Sequence, residues 1–290
     1  MLKFIKKIKW GALIFITLVH LGALLAFWTF SWSALILCLV LYWLTGGIGI
    51  TLGFHRLFSH YSFKVPKFIA YIIAFLGTLA GQAGLLWWVA RHRAHHKAPD
   101  QEGDPHTPRD GFWWSHMGWL FVRSDLDEFE TYKKFVPDLV KNPYYRFLTN
   151  YFWTVNFLLA GLLYLWGGVS FLVWGMAVRM VIVYHATWLV NSATHKWGYR
   201  SYRTQDDSCN LWWVSLVTFG EGWHNNHHAF QTSARHGLRW WEIDFTYIQI
   251  RLLALLRLAR DIKVPLISRL SQKTAQKFSV DENEDIFKIS

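Results

Sequence analysis

Residues 68–90 read FIAYIIAFLGTLAGQAGLLWWVA, and the course of this stretch decides how the rest of the chain can fold. By length and apolarity it could cross a bilayer, which takes about 20 apolar residues as helix. Yet Gly77, Gly81, Gln82 and Gly84 stand in its interior, and glycine weakens a helix. We therefore read 68–90 as an interfacial or shallow re-entrant element rather than a straight span. The reading matters because of what flanks it. Upstream, GFHRLFSH (53–60) holds His55 and His60; downstream, RHRAHH (91–96) holds His92, His95 and His96. A single crossing between them would place the two histidine clusters on opposite faces of a membrane. A return leaves them on one face.

A membrane is implied by composition. The chain has 290 residues, 53% hydrophobic and 18% aromatic, with 19 Trp, too apolar for an ordinary soluble domain. Four runs read as spans: about 11–30, 33–54, 151–166 and 168–190. Gly167 and Gly168 mark the turn between the last two. Lys3, Lys6, Lys7 and Lys9 precede the first run, which is too long for a signal peptide and has a second span directly behind it. Positive-inside bias then puts the N-terminus in the cytoplasm, and two crossings return the chain there at His55. The net charge of +11 suits an anionic cytoplasmic leaflet. Its scattered basic residues form no nucleic-acid module. Cys38 and Cys209 make neither a CxxC pair nor a disulfide framework.

Residues 91–150 and 191–264 are mixed in character and are expected to form a helical cap on the cytoplasmic side. From Gly168 to His195 there is enough chain for roughly 40 Å of helix at about 1.5 Å per residue, against a hydrocarbon core of about 30 Å. This helix should project beyond the bilayer, carrying Asn191 and His195 toward the cap. Segment 245–260 reads as an amphipathic surface helix or one packed on the cap. Residues 265–290 read as a polar tail.

The third cluster is His224, His227 and His228 in GWHNNHH. Positions i, i+3 and i+4 share one helix face, so each HxxHH can converge its imidazoles. HxxxxH cannot do so on a regular helix, where i and i+5 are roughly 140° apart; His55 is expected to end a helix and His60 to return from the turn beyond. Neutral imidazole is the commonest protein metal ligand. A structural zinc needs four ligands, so eight histidines point to two metals. The Glu-x-x-His pairs of carboxylate-bridged bundles are lacking. His20, His106, His116, His185 and His236 are read as ordinary polar surface or core residues.

In this order and on this span pattern, the three boxes resemble the membrane fatty-acid desaturases, most closely the delta-9 (stearoyl-type) branch. The resemblance runs from about Gly46 to Asp261 and rests on GITLGFHRLFSH, RHRAHHKAPDQEGDPHTPRDGFWWSHMGW, ATWLVNSATHKWGYR and TFGEGWHNNHHAFQTSARHGLRWWEID. It implies an all-α integral membrane protein: four transmembrane helices and a cytoplasmic cap holding a histidine-rich di-iron site, with 1–264 as one domain. It implies two irons held by His55, His60, His92, His95, His96, His195, His224, His227 and His228, with Asn191 contacting the site through water. The implied reaction uses O2 and two electrons to introduce a cis double bond into a saturated acyl chain. Asp104, Asp206, Asp207 and Glu221 are candidates for orienting imidazoles. Ile50 and Trp88 are candidate substrate-tunnel walls.

The chain also departs from the animal acyl-CoA members. Ala90 stands where they carry Arg, and of a basic pair that grips CoA only Arg123 remains, followed by Ser124. HHAFQTSARHGL and VPDLVKNPYYRFL are more similar to cyanobacterial and plastid acyl-lipid enzymes. A lipid-linked substrate is therefore favoured, with acyl-CoA as the alternative. The HPGG signal of a fused cytochrome b5 domain is lacking, so electrons are expected from a separate donor, ferredoxin or a b5-like protein. Rival readings are a histidine-box hydroxylase or ketolase and, more remotely, a membrane metal-binding or transport protein. The latter would want polar groups along a path in the spans, where Arg179 is the one clear charge.

Overall fold

The computed structural model describes residues 8–266. Lys3, Lys6, Lys7 and nearly all of the polar segment 265–290 lie outside the described residues. Within them the chain is helical, and the only strand-like pairings are isolated bridges such as Tyr199 with Asn210. Helix α1 (Trp10–Phe27) and helix α2 (Trp32–Ser59) are both long and apolar enough to cross a membrane. So is the stretch Phe152–His195, which the backbone interrupts at Gly167 (φ −140°, ψ 20°) and Gly168 (φ 63°, ψ −153°), where the paired glycines suggested a turn. The positive φ of Gly168 is one that a residue with a Cβ adopts only under strain.

The stretch 68–90 is two helices. Helix α3 (Lys67–Thr78) ends at a turn, and helix α4 (Leu85–Lys97) starts afresh after it. Gly81 (φ 73°) and Ala83 (φ 71°) make the reversal. A broken helix inside an apolar bundle exposes carbonyls that need donors. They receive them from helix α6 (Phe152–Leu172) and helix α7 (Arg179–Ser192). Asn156 Nδ2 donates to Thr78 O at 2.9 Å, Arg179 Nη1 to Leu79 O at 2.7 Å, and Tyr184 Oη to Gly81 O at 2.8 Å. Arg179 is fully buried and acts here as a cap for a broken helix. At α3, a Cβ on Gly49 of α2 would lie 2.5 Å from the Gly77 backbone nitrogen. These glycines therefore let the two helices touch backbone to backbone.

Helix α2 does not end at His55. It is α-helical over Trp32–Tyr42 and continues as a π-helix over Trp43–Ser59. A π-helix bonds residue i to i+5, and His60 N donates to His55 O at 3.2 Å. The five-residue spacing that would separate the two rings on an α-helix therefore places them together, with centroids 4.9 Å apart. Helix α5 (Pro143–Asn150) packs against α3 and α4. Helix α8 (His224–Ala229) carries the third cluster. Helix α9 (Phe245–Leu255) lies along α2, with Ile250 and Thr246 buried and Thr246 Oγ1 2.7 Å from Thr51 Oγ1. It is thus packed onto the bundle. Outward-facing apolar side chains such as Phe27, Leu165 and Trp166, each more than 70% exposed, mark this chain as a membrane protein.

Candidate metal centre

The break between α3 and α4 lets α4 run back beside the end of α2, and the histidines meet there. Nine of them fall into two groups. His55, His60, His92, His96 and His227 form one, and His95, His195, His224 and His228 the other; within each, one ring nitrogen per residue lies within 4.8 Å of all the rest. Alternation along the HxxHH helices sends His92 and His96 to one group and His95 to the other. Helix α8 divides likewise, His227 against His224 and His228. His195 arrives in the turn that follows α7, beyond the helix end. All nine are buried or nearly so.

The nitrogens face one another. His55 Nε2 is 3.1 Å from His227 Nε2, His60 Nε2 2.7 Å from His92 Nε2, and His227 Nε2 3.0 Å from His96 Nε2. In the second group His195 and His224 bring their Nε2 atoms to 3.0 Å, and His95 and His228 theirs to 3.5 Å. One proton can bridge a pair of imidazoles, but it cannot serve five lone pairs converging on a point. A cation can. Metal–imidazole bonds of about 2.1 Å put neighbouring ligand nitrogens about 3 Å apart, the spacing seen here.

Behind the rings stand carboxylates. Asp104 Oδ2 accepts from His95 Nδ1 at 2.7 Å, Asp100 Oδ2 from His195 Nδ1 at 3.0 Å, and Asp206 Oδ2 from His228 Nδ1 at 2.9 Å. Glu221 Oε2 lies 2.7 Å from His55 Nδ1. Such partners fix the tautomer and turn Nε2 toward the metal. Asp104, Asp206 and Glu221 were legible as candidates. Asp207 is not among them: it pairs with Arg109 at the surface, 3.0 Å away. Asp100 takes the role instead, and its place four residues after His96 in an acid-rich loop was a usable signal. Arg56 is fully buried and holds both Glu221 (Nε to Oε1, 3.1 Å) and Asp244 (Nη1 to Oδ2, 2.9 Å).

The electrostatics follow the burial. Loss of water pushes His60, His92, His96, His224 and His227 well below the ordinary imidazole value, and neighbouring histidines add to the effect. These rings are therefore neutral, the form that binds metal. Burial opposes the charge of Glu221, but Arg56, His55 and His236 outweigh it and hold the group well below the carboxylate range. His106 and His236 are buried beside the site: His236 Nδ1 lies 3.1 Å from Glu221 Oε2, and the His106 ring sits 4.6 Å from that of His95. No sequence spacing points to His236.

Two cavities open onto the histidines. The first, about 610 Å³ counting its open mouth, runs from Tyr42 and Phe219 past Ile50 to His55, His92, His95 and His224. At its Tyr42 end the Tyr42 hydroxyl donates to Val217 O. The second, about 1480 Å³ counting its open mouth, has a more polar wall. Trp88, His92, Thr187 and Asn191 border both. At this junction Trp88 Nε1 donates to Gln82 Oε1 at 3.0 Å and Gln82 Nε2 to Thr187 Oγ1 at 2.8 Å. Ile50 and Trp88 thus stand in cavity walls; Arg123 is exposed and stands outside both.

The profile of the fatty acid desaturase family matches residues 26–251. Among similar proteins, the sn-1 stearoyl-lipid 9-desaturase of Anabaena variabilis is 52% identical over 89% of this chain and 95% of its own. The sn-2 palmitoyl-lipid 9-desaturase of Nostoc sp. (strain 36) is 49% identical, over 88% of this chain and 90% of its own. The acyl-CoA C20 Delta5-desaturase of Anemone leveillei is 48% identical, over 89% and 84% respectively.

Proposed function

This chain belongs to the fatty acid desaturase family, and from that premise we propose that it introduces a cis double bond at delta-9 of a saturated, lipid-linked acyl chain. The observation that carries the chemistry is the convergence of nine buried imidazoles in two groups. We assign them two irons, the group of five holding one and the group of four the other, with Asn191 reaching the second through water. When bound, the iron pair supplies what no side chain can: activation of O2 with two electrons for removal of hydrogen from an unactivated C–H bond.

The protein's part is placement. The wall of the first cavity is mostly apolar up to the histidines and suits an acyl tail. Trp88, tied to Gln82 and through it to Thr187, narrows the passage where the two cavities meet beside His92. A tail threaded through must bend there, which presents one methylene pair to the site and favours the cis product. Asp100, Asp104, Asp206 and Glu221 keep the imidazoles aimed. The lipid-linked carrier is supported by similarity to lipid desaturases; acyl-CoA remains the second reading, supported by the Anemone relative.

For topology, we propose four crossings, with the break at Gly167–Gly168 on the far side and the N-terminus and histidine centre in the cytoplasm. A separate donor, ferredoxin or b5-like, supplies electrons to the basic face, steered by charge, and activity is expected to fall as salt rises. The deciding experiment is lipid profiling after expression in a host that makes only saturated acyl chains. Loss of two hydrogens at C9–C10 in a lipid ester is expected; gain of oxygen would favour the hydroxylase reading. Labelling of cysteines placed at 62–66 and 97–103 from opposite sides of the membrane would overturn the topology.

A further inference from the structure

The acyl-lipid reading leaves open what recognises the lipid beyond its tail, and the wall of the larger cavity carries charged groups that placement of the tail does not use. Arg91 precedes His92 on α4 and is only 3% exposed. Its guanidinium lies 3.6 Å from the centroid of the Trp87 ring, and Nη1 donates to Leu126 O at 2.9 Å. Its Nη2 pairs with Asp127. Lys9, from the start of α1, pairs with the same carboxylate at 3.1 Å. One acid therefore serves two cations, and Arg123 adds a further positive field at Lys9. Two buried donors of this wall, Arg91 Nε and Trp119 Nε1, have no acceptor.

Unpaired buried donors and an uncompensated cation are each unfavourable. A ligand that brings acceptor oxygens together with one negative charge relieves both. We propose that the wall formed by Lys9, Arg91, Asp127 and Trp119 binds the phosphodiester of a glycerophospholipid substrate, one anionic group meeting the one positive charge left over. An uncharged sugar headgroup offers acceptors without the charge. The several negative charges of CoA exceed what this wall can match. The placement also agrees with the cavities: the charged one and the apolar one share Trp88, His92, Thr187 and Asn191, so a lipid lying across both passes the histidines.

This inference rests on the acyl-lipid reading, so the test separates the two. Purified enzyme in nanodiscs is given distearoyl phosphatidylglycerol, distearoyl phosphatidylethanolamine, a distearoyl galactolipid or stearoyl-CoA, with a reductant. The wild type is expected to turn over both phospholipids in preference to the others. Lys9→Gln and Arg91→Gln should each raise KM for the phospholipids at least about tenfold and for the galactolipid less than about threefold, with bound iron unchanged. Bound iron reports on the fold, and Lys9→Gln, at a half-buried position, stands in should Arg91→Gln fail to fold. An equal loss on phospholipid and galactolipid, or wild-type preference for galactolipid or stearoyl-CoA, overturns the proposal. Failure to desaturate any of the four overturns the acyl-chain reading itself, and this proposal with it.

Discussion

Histidines gather in two places in this protein. In the metal centre their nitrogens converge: five and four rings aim at two points, and carboxylates stand behind His55, His95, His195 and His228. Between α1, α7 and the short helix Phe112–His116, three others form a line. His20 Nδ1 lies 2.7 Å from Ile16 O, and its Nε2 is 3.0 Å from His185 Nε2. His185 Nδ1 is 3.0 Å from His116 Nε2, and His116 Nδ1 is 2.9 Å from Ser192 Oγ. In the line each nitrogen has one partner, and a proton on one ring serves the lone pair on the next. Convergence with acids behind the rings calls for a cation; a line is complete with protons. Abundance of histidine is therefore not the metal signal, and direction is.

The largest effect expected from this contrast is on bound iron. His227→Ala removes a ring that lies 3.1 Å from His55 and 3.0 Å from His96, and should release iron and take desaturation to background. His185→Ala should leave iron content at the wild-type level. Iron analysis of the two purified variants checks the pair, and loss of iron from His185→Ala would erase the distinction drawn here.

A smaller effect is expected from the acids behind the rings. Asp206→Asn and Asp100→Asn keep the shape but remove the charge that orients His228 and His195. Metal affinity or activity should fall about 10–100-fold, short of the loss from a ligand. Asp207→Asn, at a surface ion pair, should lose under about 1 kcal/mol of stability and no iron. Titration of iron into metal-depleted variants separates these cases.

The acids also mark where sequence reading reached its limit. The three histidine boxes, the glycines of 68–90 and the Gly167–Gly168 turn are local patterns, and each points to what the backbone does. What holds the break in 68–90 is not local: Asn156, Arg179 and Tyr184 come from helices far along the chain, and nothing in their own surroundings tells which carbonyl each will meet. The π continuation of α2 was hidden for a related reason. HxxxxH looks divergent on an ordinary helix, and only the i to i+5 ladder reveals why five is the right spacing. His236 reaches Glu221 solely because Arg56 and α8 bring that carboxylate between them. Sequence could name the ligand type and the breaks, while partners set by long-range packing stayed out of its reach.

Acidification should sharpen the contrast by a lesser amount. Burial is the main cause that holds His92, His96, His224 and His227 well below the ordinary value. Groups depressed in the fold contribute stability that is fully present above their unfolded value of about 6.5 and is lost as pH falls toward their folded values. Protons therefore compete poorly for these rings at pH 6, and iron should be retained there. An iron-release midpoint near 6.5 would mean that the rings titrate as though in water, against the burial. Burial likewise pushes His116 down to about 4, so the stability of the His116 end of the line is fully present above about 6.5 and is lost as pH falls toward about 4.

The smallest effect tests the line itself. At neutral pH three neutral rings carry three N–H hydrogens, whereas the chain from Ile16 O to Ser192 has four links to fill. The fourth hydrogen must come from Ser192, whose hydroxyl lies 2.9 Å from His116 Nδ1 and 2.8 Å from Trp188 O and can donate to only one of them at a time. His185→Leu removes the middle link and leaves a nitrogen of His20 and one of His116 without partners, a cost of about 1–3 kcal/mol for each group buried from water. His20 is only partly buried, so the lower part of that range applies to it, whereas His116 is buried and takes the upper part. Ser192→Ala removes the hydrogen source alone and should cost less than His185→Leu. Thermal unfolding in detergent, with iron content measured alongside, gives the ranking. If Ser192→Ala destabilises as much as His185→Leu, or if either variant loses iron, the line is part of the metal centre's support and the two regions are one.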